Sequence, residues 1–355
     1  MDVQSKALRQ MSSFTMTFTI ACYVCRYGLF WGNLMNKMLC LMIVIFFVIN
    51  SNYSNAALIK DQTLLVDGSA RTYDLFIPST TYDNARPLVV LLHGHYGDAD
   101  VMTGENGKKT PYKIWLTIAE REGWYLVIPD GENGSDNNRG WNDCRKDAFT
   151  NPKTNDVKFL QSLIDRVSSQ YSINQDRIYA HGTSNGGNMV FRLAQEIGDE
   201  FKAVAAIVAS MPENNKCRES QHPISILVMN GTDDPLLPYD GGSVGRRDTD
   251  KKARGTVLST DKTIQYWLSK NKITTSPTTE IFPNISRRDR STVEVSRYRG
   301  GIDDTEVILY KIIGGGHTEP SLKEHYRAIY KMIVGQQNRD IEMAEEVFQF
   351  FDRHK

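Results

Sequence analysis

Residues 180–187 read Ala180-His181-Gly182-Thr183-Ser184-Asn185-Gly186-Gly187. The serine sits in a G-x-S-x-G frame, directly after a strand-like run (Arg177 to Ala180) and directly before a helix-like one (Asn188 to Ile197). A serine hydroxyl is a weak nucleophile unless it is held clear of the regular backbone and beside a base. A tight strand-to-helix turn flanked by small residues does the first of these. The frame alone is thin evidence, since a random chain of this length carries one about one time in ten at ordinary Gly and Ser usage. Its meaning depends on whether a base, an acid and an oxyanion-binding loop accompany it.

The 355-residue chain has 42 basic and 42 acidic side chains and is 40% hydrophobic, an ordinary globular composition that argues against nucleic acid or a strongly charged surface as the main partner. Its N-terminus differs from the rest. Met38 to Ile49 is an unbroken apolar run of 12 residues, preceded by Lys37 and followed by polar residues up to Ala56. That is shorter than the roughly 20 residues a bilayer span needs. A basic flank, a short apolar core and a small-residue end predict a secretory signal region over 1–56, cut after Ala56. Within it, 35–56 is the signal proper and 1–34 an over-extended start, with translation beginning at Met35 or Met38. The alternative is an uncleaved anchor lengthened by Phe14 to Cys25. Cleavage leaves one domain over 57–355, secreted or periplasmic, with no stable membrane span. The leader carries four basic and one acidic side chain, so the remainder has a net charge of about −3. It keeps only Cys144 and Cys217. Two cysteines in an exported chain predict one disulfide, closing a loop of about 74 residues and contributing about 4 kcal/mol. Two free buried thiols are the alternative.

Beyond the leader, strand and helix signals alternate. Leu64 to Ile77, with Asp67-Gly68 at its turn, predicts a hairpin. Leu88 to Leu92 is apolar throughout, as a strand buried on both faces is. A helix (Lys113 to Glu122) and a strand (Trp124 to Ile128) follow, then the helix Val157 to Ser169. After the serine turn come the strands Ala203 to Val208 and Ile224 to Met229, the helix Asp261 to Leu268, the strands Val293 to Tyr298 and Val307 to Ile313, and an amphipathic helix, Ile341 to Phe351. Such alternation predicts an α/β fold with a mostly parallel central sheet, helices on both faces, and a site beyond the carboxyl ends of the strands.

A nucleophilic Ser184 needs a base, a group to orient that base, and an oxyanion hole. Of seven histidines, His317 has the best setting, after the strand Val307 to Ile313 and three glycines that let an imidazole reach over the sheet edge. The acid comes from Asp233-Asp234-Pro235, just past the strand Ile224 to Met229. Asp234, heading the rigid proline turn, is preferred, and Asp233 caps or lines that turn. The order Ser184, Asp234, His317 is that of α/β-hydrolases. The N–H of Asn185, together with one from the loop Leu91-Leu92-His93-Gly94-His95-Tyr96-Gly97, supplies the oxyanion hole. His95 is the preferred second donor and Tyr96 the alternative. His93 and His95, two apart with no Cys or carboxylate cluster, do not make a metal site.

GTSNGG around Ser184, LLHGHYG at 91–97, PDG at 129–131 with RGWNDC at 139–144, NDVKFL at 155–160, NGTDDPLLPYDGG at 230–242 and GGGHTEP at 314–320 occur in order. Together they resemble the secreted poly(3-hydroxybutyrate) depolymerase/feruloyl esterase group of α/β-hydrolases, over roughly residues 60–355. The resemblance implies a Ser184-Asp234-His317 triad and cofactor-free hydrolysis of small or oligomeric carboxylic esters through an acyl-enzyme. Two departures stand out. The group often has an aromatic residue two positions after the histidine. Glu319 stands there and is expected to make the pocket rim more polar, with Trp141 and Asn142 as further pocket residues. Polymer-degrading members usually add a binding module on a linker, whereas this chain ends soon after its last helix, which favours soluble esters. The rival readings are a serine peptidase of the same fold and a non-catalytic binding protein.

Overall fold

Every position of Leu88 to Leu92 is apolar because neither face of that strand meets water. The computed structural model describes residues 56–355 apart from 81–83, 106 and 108. The leader reading of 1–56 therefore falls, up to residue 55, outside the described residues. The strands are β1 (Ala57–Val66), β2 (Ser69–Ile77), β3 (Arg86–Leu92), β4 (Tyr125–Pro129), β5 (Ile173–Thr183), β6 (Ala203–Ile207), β7 (Ser225–Gly231), β8 (Thr278–Ile281), β9 (Thr292–Tyr298) and β10 (Val307–Ile313). They form one ten-stranded sheet in the order β1-β2-β4-β3-β5-β6-β7-β10-β9-β8. From β4 to β10 along that order all neighbours are parallel. The antiparallel pairs, including the opening hairpin, lie towards the two edges.

The principal helices are α1 (Ile114–Glu122), α2 (Asp156–Gln170), α3 (Asn185–Glu196), α4 (Thr260–Asn271), α5 (Ala328–Val334) and α6 (Met343–Arg353). Alternate residues of β3 point to opposite cores, as the two-residue period of a strand requires. Leu88, Val90 and Leu92 pack with Phe159, Leu160, Val190 and Trp267 from α2, α3 and α4. Val89 and Leu91 pack with Trp115, Ile118, Phe350 and Phe351 from α1 and α6. Helix α6 buries Met343, Ala344, Val347, Phe348, Phe350 and Phe351 and keeps Glu345 and Glu346 in its first turn, where acidic groups suit the helix dipole. Local signals set the ends of other helices. The Asn155 side chain accepts the Lys158 N–H to start α2, and Gly123 in the left-handed region stops α1.

The sheet, its parallel centre and its two helical layers are those expected from the sequence. The differences are local. β5 begins at Ile173 rather than Arg177, because its polar start pairs with β3 through Arg86. β8 was not anticipated. All four of its residues are exposed, and only pairing with β9 makes it a strand. Among the described residues no helix is long and apolar enough to cross a membrane.

Candidate active site

Ser184 stands between β5 and α3 with φ 52° and ψ −119°, a backbone conformation that a residue with a Cβ adopts only when its surroundings impose it. Two backbone approaches impose it here. A Cβ on Gly182 would lie 2.4 Å from the Gly186 carbonyl oxygen, and one on Gly186 would lie 2.4 Å from the Leu92 and His93 oxygens. Both glycines of the frame are thus fixed by close packing of β5, α3 and the end of β3. The Ser184 N–H donates to Ile207 O on β6 at 2.8 Å, tying the turn to the next strand.

Asp234 lies three residues past β7 and His317 four past β10. The neighbouring parallel strands β5, β6, β7 and β10 bring both to the sheet end that carries Ser184. His317 Nδ1 lies 2.6 Å from Asp234 Oδ2, and Asp234 Oδ1 accepts the Leu236 and Leu237 amides, each at 2.8 Å. The proline turn therefore serves Asp234, as expected. Asp233 instead accepts the Thr232 hydroxyl at 2.9 Å. Burial opposes a charge on His317, but the touching Asp234 carboxylate outweighs it and raises the imidazole pKa above the ordinary 6.5. Among the described residues no hydrogen bond joins Ser184 Oγ to His317, a contact that in serine hydrolases often tightens when substrate binds.

Of the residues expected to form the oxyanion hole, Asn185 carries the first amide of α3, and His95 lines the same cleft as Asn185 and Ser184. The Tyr96 N–H donates to Arg139 O at 3.0 Å and is thereby committed, whereas the His95 amide has no such bond among the described residues. His93 is a buried strut. Its Nδ1 donates to Gly94 O at 2.7 Å and its Nε2 accepts the Gly131 N–H at 2.9 Å. Burial lowers its pKa to about 4, consistent with a neutral ring in both roles. His95 Nε2 lies 2.9 Å from Asp136 Oδ2. Burial and then the Arg254 charge lower the His95 pKa.

The three residues expected to shape the pocket lie elsewhere. Trp141 is fully buried, its indole N–H donating to His93 O at 2.8 Å. Its backbone clamps the Asn185 side chain, since Trp141 N–H donates to Asn185 Oδ1 at 2.6 Å and Asn185 Nδ2 donates to Trp141 O at 3.1 Å. Asn142 faces a separate surface basin with Lys153 and Arg192 and donates to Thr154 O at 2.8 Å. Glu319 is buried rather than at a rim and accepts the Thr183 and Tyr326 hydroxyls. It ties the His317 loop to the strand that carries Ser184. Burial and then the Glu319 charge push the Tyr326 hydroxyl well above its ordinary pKa, so it stays a donor. These corrections share a cause. Position in the chain sets where a loop begins, but which face of it is buried depends on partners far away in sequence.

Residues not singled out from sequence line the cleft around Ser184, among them Arg145, Asn151, Asn188, Leu237, Val244 and Arg254. Beneath it, Arg145 Nη2 pairs with Asp143 Oδ2 at 2.6 Å, both side chains buried. Asp143 also accepts Asn185 Nδ2 at 2.8 Å. Burial works against a charged Asp143, but the adjoining guanidinium prevails and lowers its pKa. The expected Cys144–Cys217 disulfide is present, spanning 73 positions. It fastens the clamp loop to the segment 211–217, whose Asn215 bridges Arg145.

Residues 113–230 match the profile of the prolyl oligopeptidase family. The chain is 28% identical over 295 residues to NocK of Nocardia uniformis subsp. tsuyamanensis, named as an esterase, across 81% of this chain and 80% of that protein. It is 29% identical over 174 residues to feruloyl esterase C of Emericella nidulans, an alignment spanning 49% of this chain and 58% of that protein. In three dimensions it superposes on a protein of Bacteroides ovatus ATCC 8483 named as a dipeptidyl aminopeptidase IV with a TM-score of 0.51 at 14% identity, covering 86% of this chain and 37% of the other. The chain has the α/β-hydrolase fold. Within that class its sequence is similar to proteins named as esterases.

Proposed function

We propose that this protein is an exported serine hydrolase of carboxylic esters whose single catalytic domain occupies 57–355. The observation that carries the reading is the 2.6 Å contact between Asp234 and His317 at the sheet end where Ser184 holds its positive-φ turn. Asp234 fixes the imidazole with its proton on Nδ1, leaving Nε2 to take the hydroxyl proton as Ser184 Oγ attacks the ester carbonyl. The Asn185 and His95 amides receive the negative charge that develops on the carbonyl oxygen. The C–O bond to the alcohol breaks, and the alcohol leaves with the proton held by His317. Water then attacks the acyl-serine, again giving a proton to His317, and the acid departs as Ser184 regains its hydrogen.

The relative named as a feruloyl esterase supports feruloyl esters as the first substrates to try, with acetyl esters and 3-hydroxybutyrate oligomers as further arms. Release of nitrophenol from 4-nitrophenyl acetate by the protein, and its loss in Ser184→Ala, is the expected result. Equal rates in the two proteins would remove the mechanism. The match of 113–230 to the prolyl oligopeptidase family favours a second reading, a serine peptidase using the same triad. Faster cleavage of aminoacyl 4-nitroanilides than of simple esters would select it. Failure of Ser184 to react with a fluorophosphonate would point instead to a binding protein on a hydrolase fold.

A further inference from the structure

The cleft around Ser184 is lined by two arginines, and they are not equivalent. Arg145 is neutralised beneath the cleft by Asp143 at 2.6 Å. Arg254 has no ion pair among the described residues. Its guanidinium lies over the Tyr96 ring, 5.1 Å from the centroid, and donates to the Tyr96 hydroxyl at 2.5 Å. Of the nearby carboxylates, Asp250, which the Arg254 charge helps to keep ionised, pairs with Arg247 at 3.0 Å, and Asp147 Oδ2 accepts Thr256 and Asn214 at 2.8 and 3.1 Å. The backbone beneath Arg254 is fixed. Arg145 Nη1 donates to the Arg254 carbonyl at 2.7 Å, and Arg254 bridges Ala148.

We propose that Arg254 is a specificity-determining residue that binds a carboxylate carried by the ester substrate, and this rests on the esterase reading above. A half-buried guanidinium stacked on an aromatic ring keeps its planar fork of donors pre-organised for a carboxylate, which it can grip through two parallel hydrogen bonds. Tyr96 takes only one of the five N–H donors. The charge also reaches the reacting centre, since Arg254 disfavours the protonated forms of both His95 and His317. A substrate carboxylate seated on Arg254 offsets that influence while it holds the ester in the cleft. Neutral esters lack this contact and leave the guanidinium without a hydrogen-bonded carboxylate, so discrimination arises from what they fail to supply.

The test compares ester pairs that differ in one charge. On the acyl side the pair is mono-4-nitrophenyl glutarate against 4-nitrophenyl butyrate, and on the alcohol side it is 4-acetoxybenzoate against its methyl ester. The expected result is a kcat/KM preference of about tenfold or more for the anionic member of one pair, which identifies the side that bears the carboxylate. That ratio falls towards one in Arg254→Gln, is partly kept in Arg254→Lys, and weakens with added salt. Arg288→Gln, at an exposed arginine on another loop, leaves the ratio unchanged. Hydrolysis of the neutral esters with no charge preference in either pair, or a preference that survives Arg254→Gln, overturns the inference and leaves the esterase reading intact. If the unaltered protein hydrolyses none of the four, both readings fall.

Discussion

Two kinds of segment surround Ser184, and they are built on different principles. The sheet-end turns that carry Ser184, Asp234 and His317 each begin within four residues of a parallel strand, so a short motif is enough to set them. The loop from Arg139 to Cys144 works at longer range. Trp141, Asp143 and Cys144 are held by Asn185, Arg145 and Cys217, and their task is to fix the residue after the nucleophile. The contrast teaches that the proposed chemistry draws on a few strand ends, while the placement of Asn185 depends on a buried scaffold behind it. Variants in the first region should strike rate, and variants in the second should strike stability first.

The largest expected effect is on the first side. Ser184→Ala should remove at least about 10⁴-fold of the ester hydrolysis rate without changing the melting temperature by more than a few degrees. Stopped assays together with calorimetry check both. A parallel loss of fold would erase the distinction between the two regions. Asp234→Asn comes next, with a loss of about 10³–10⁴-fold, because the imidazole then holds the wrong tautomer. Its pH profile sharpens the assignment. His317 acts as a base only when neutral, so kcat/KM rises with pH, and Asp234 places the inflection above the ordinary 6.5. In Asp234→Asn that inflection moves down. The raised folded-state pKa also means that the His317 proton stabilises the fold below about pH 6.5 and that this contribution is lost as pH rises through the folded value. Denaturant titrations should therefore show a greater stability loss for Asp234→Asn at about pH 5 than at about pH 9.

On the scaffold side, Asp143→Asn strands the buried Arg145 charge and should cost about 3–5 kcal/mol in denaturant unfolding. A cost below about 1 kcal/mol would show that the clamp is not what holds this loop. Cys217→Ser, which opens the 73-position bridge, should cost about 2–4 kcal/mol while leaving kcat within a few-fold at about 25 °C. A large kcat loss with little stability change would show that the bridge acts on the site directly.

The serine turn was legible because its requirements are local. Gly182 and Gly186 are the residues that avoid backbone contact, and the strand-like and helix-like runs on either side are visible within residues 177–197. His317 and Asp234 were legible because each follows an apolar strand, and the parallel order of those strands puts them at one end. Trp141 and Glu319 misled for the opposite reason. A tryptophan in a polar loop and a glutamate after a histidine both look exposed in a linear sequence, and both are buried by groups 44 and 136 positions away. β8 escaped notice because all its residues are exposed and nothing periodic marks it.

By itself, then, the chain determined the parallel centre of the sheet, the helical layers, the strand-end positions of Ser184, Asp234 and His317, and the two cysteines that remain to pair. Hydrophobic period, glycine placement and the small number of cysteines are properties of short stretches, and they survive without knowledge of contacts. Only the tertiary structure decided what surrounds Ser184. It turned Trp141 inward, buried Glu319 against Thr183, neutralised Arg145 and left Arg254 on Tyr96 with no ion pair among the described residues. Whether a polar side chain meets water, a partner or a substrate depends on side chains brought together by the closing of the whole sheet.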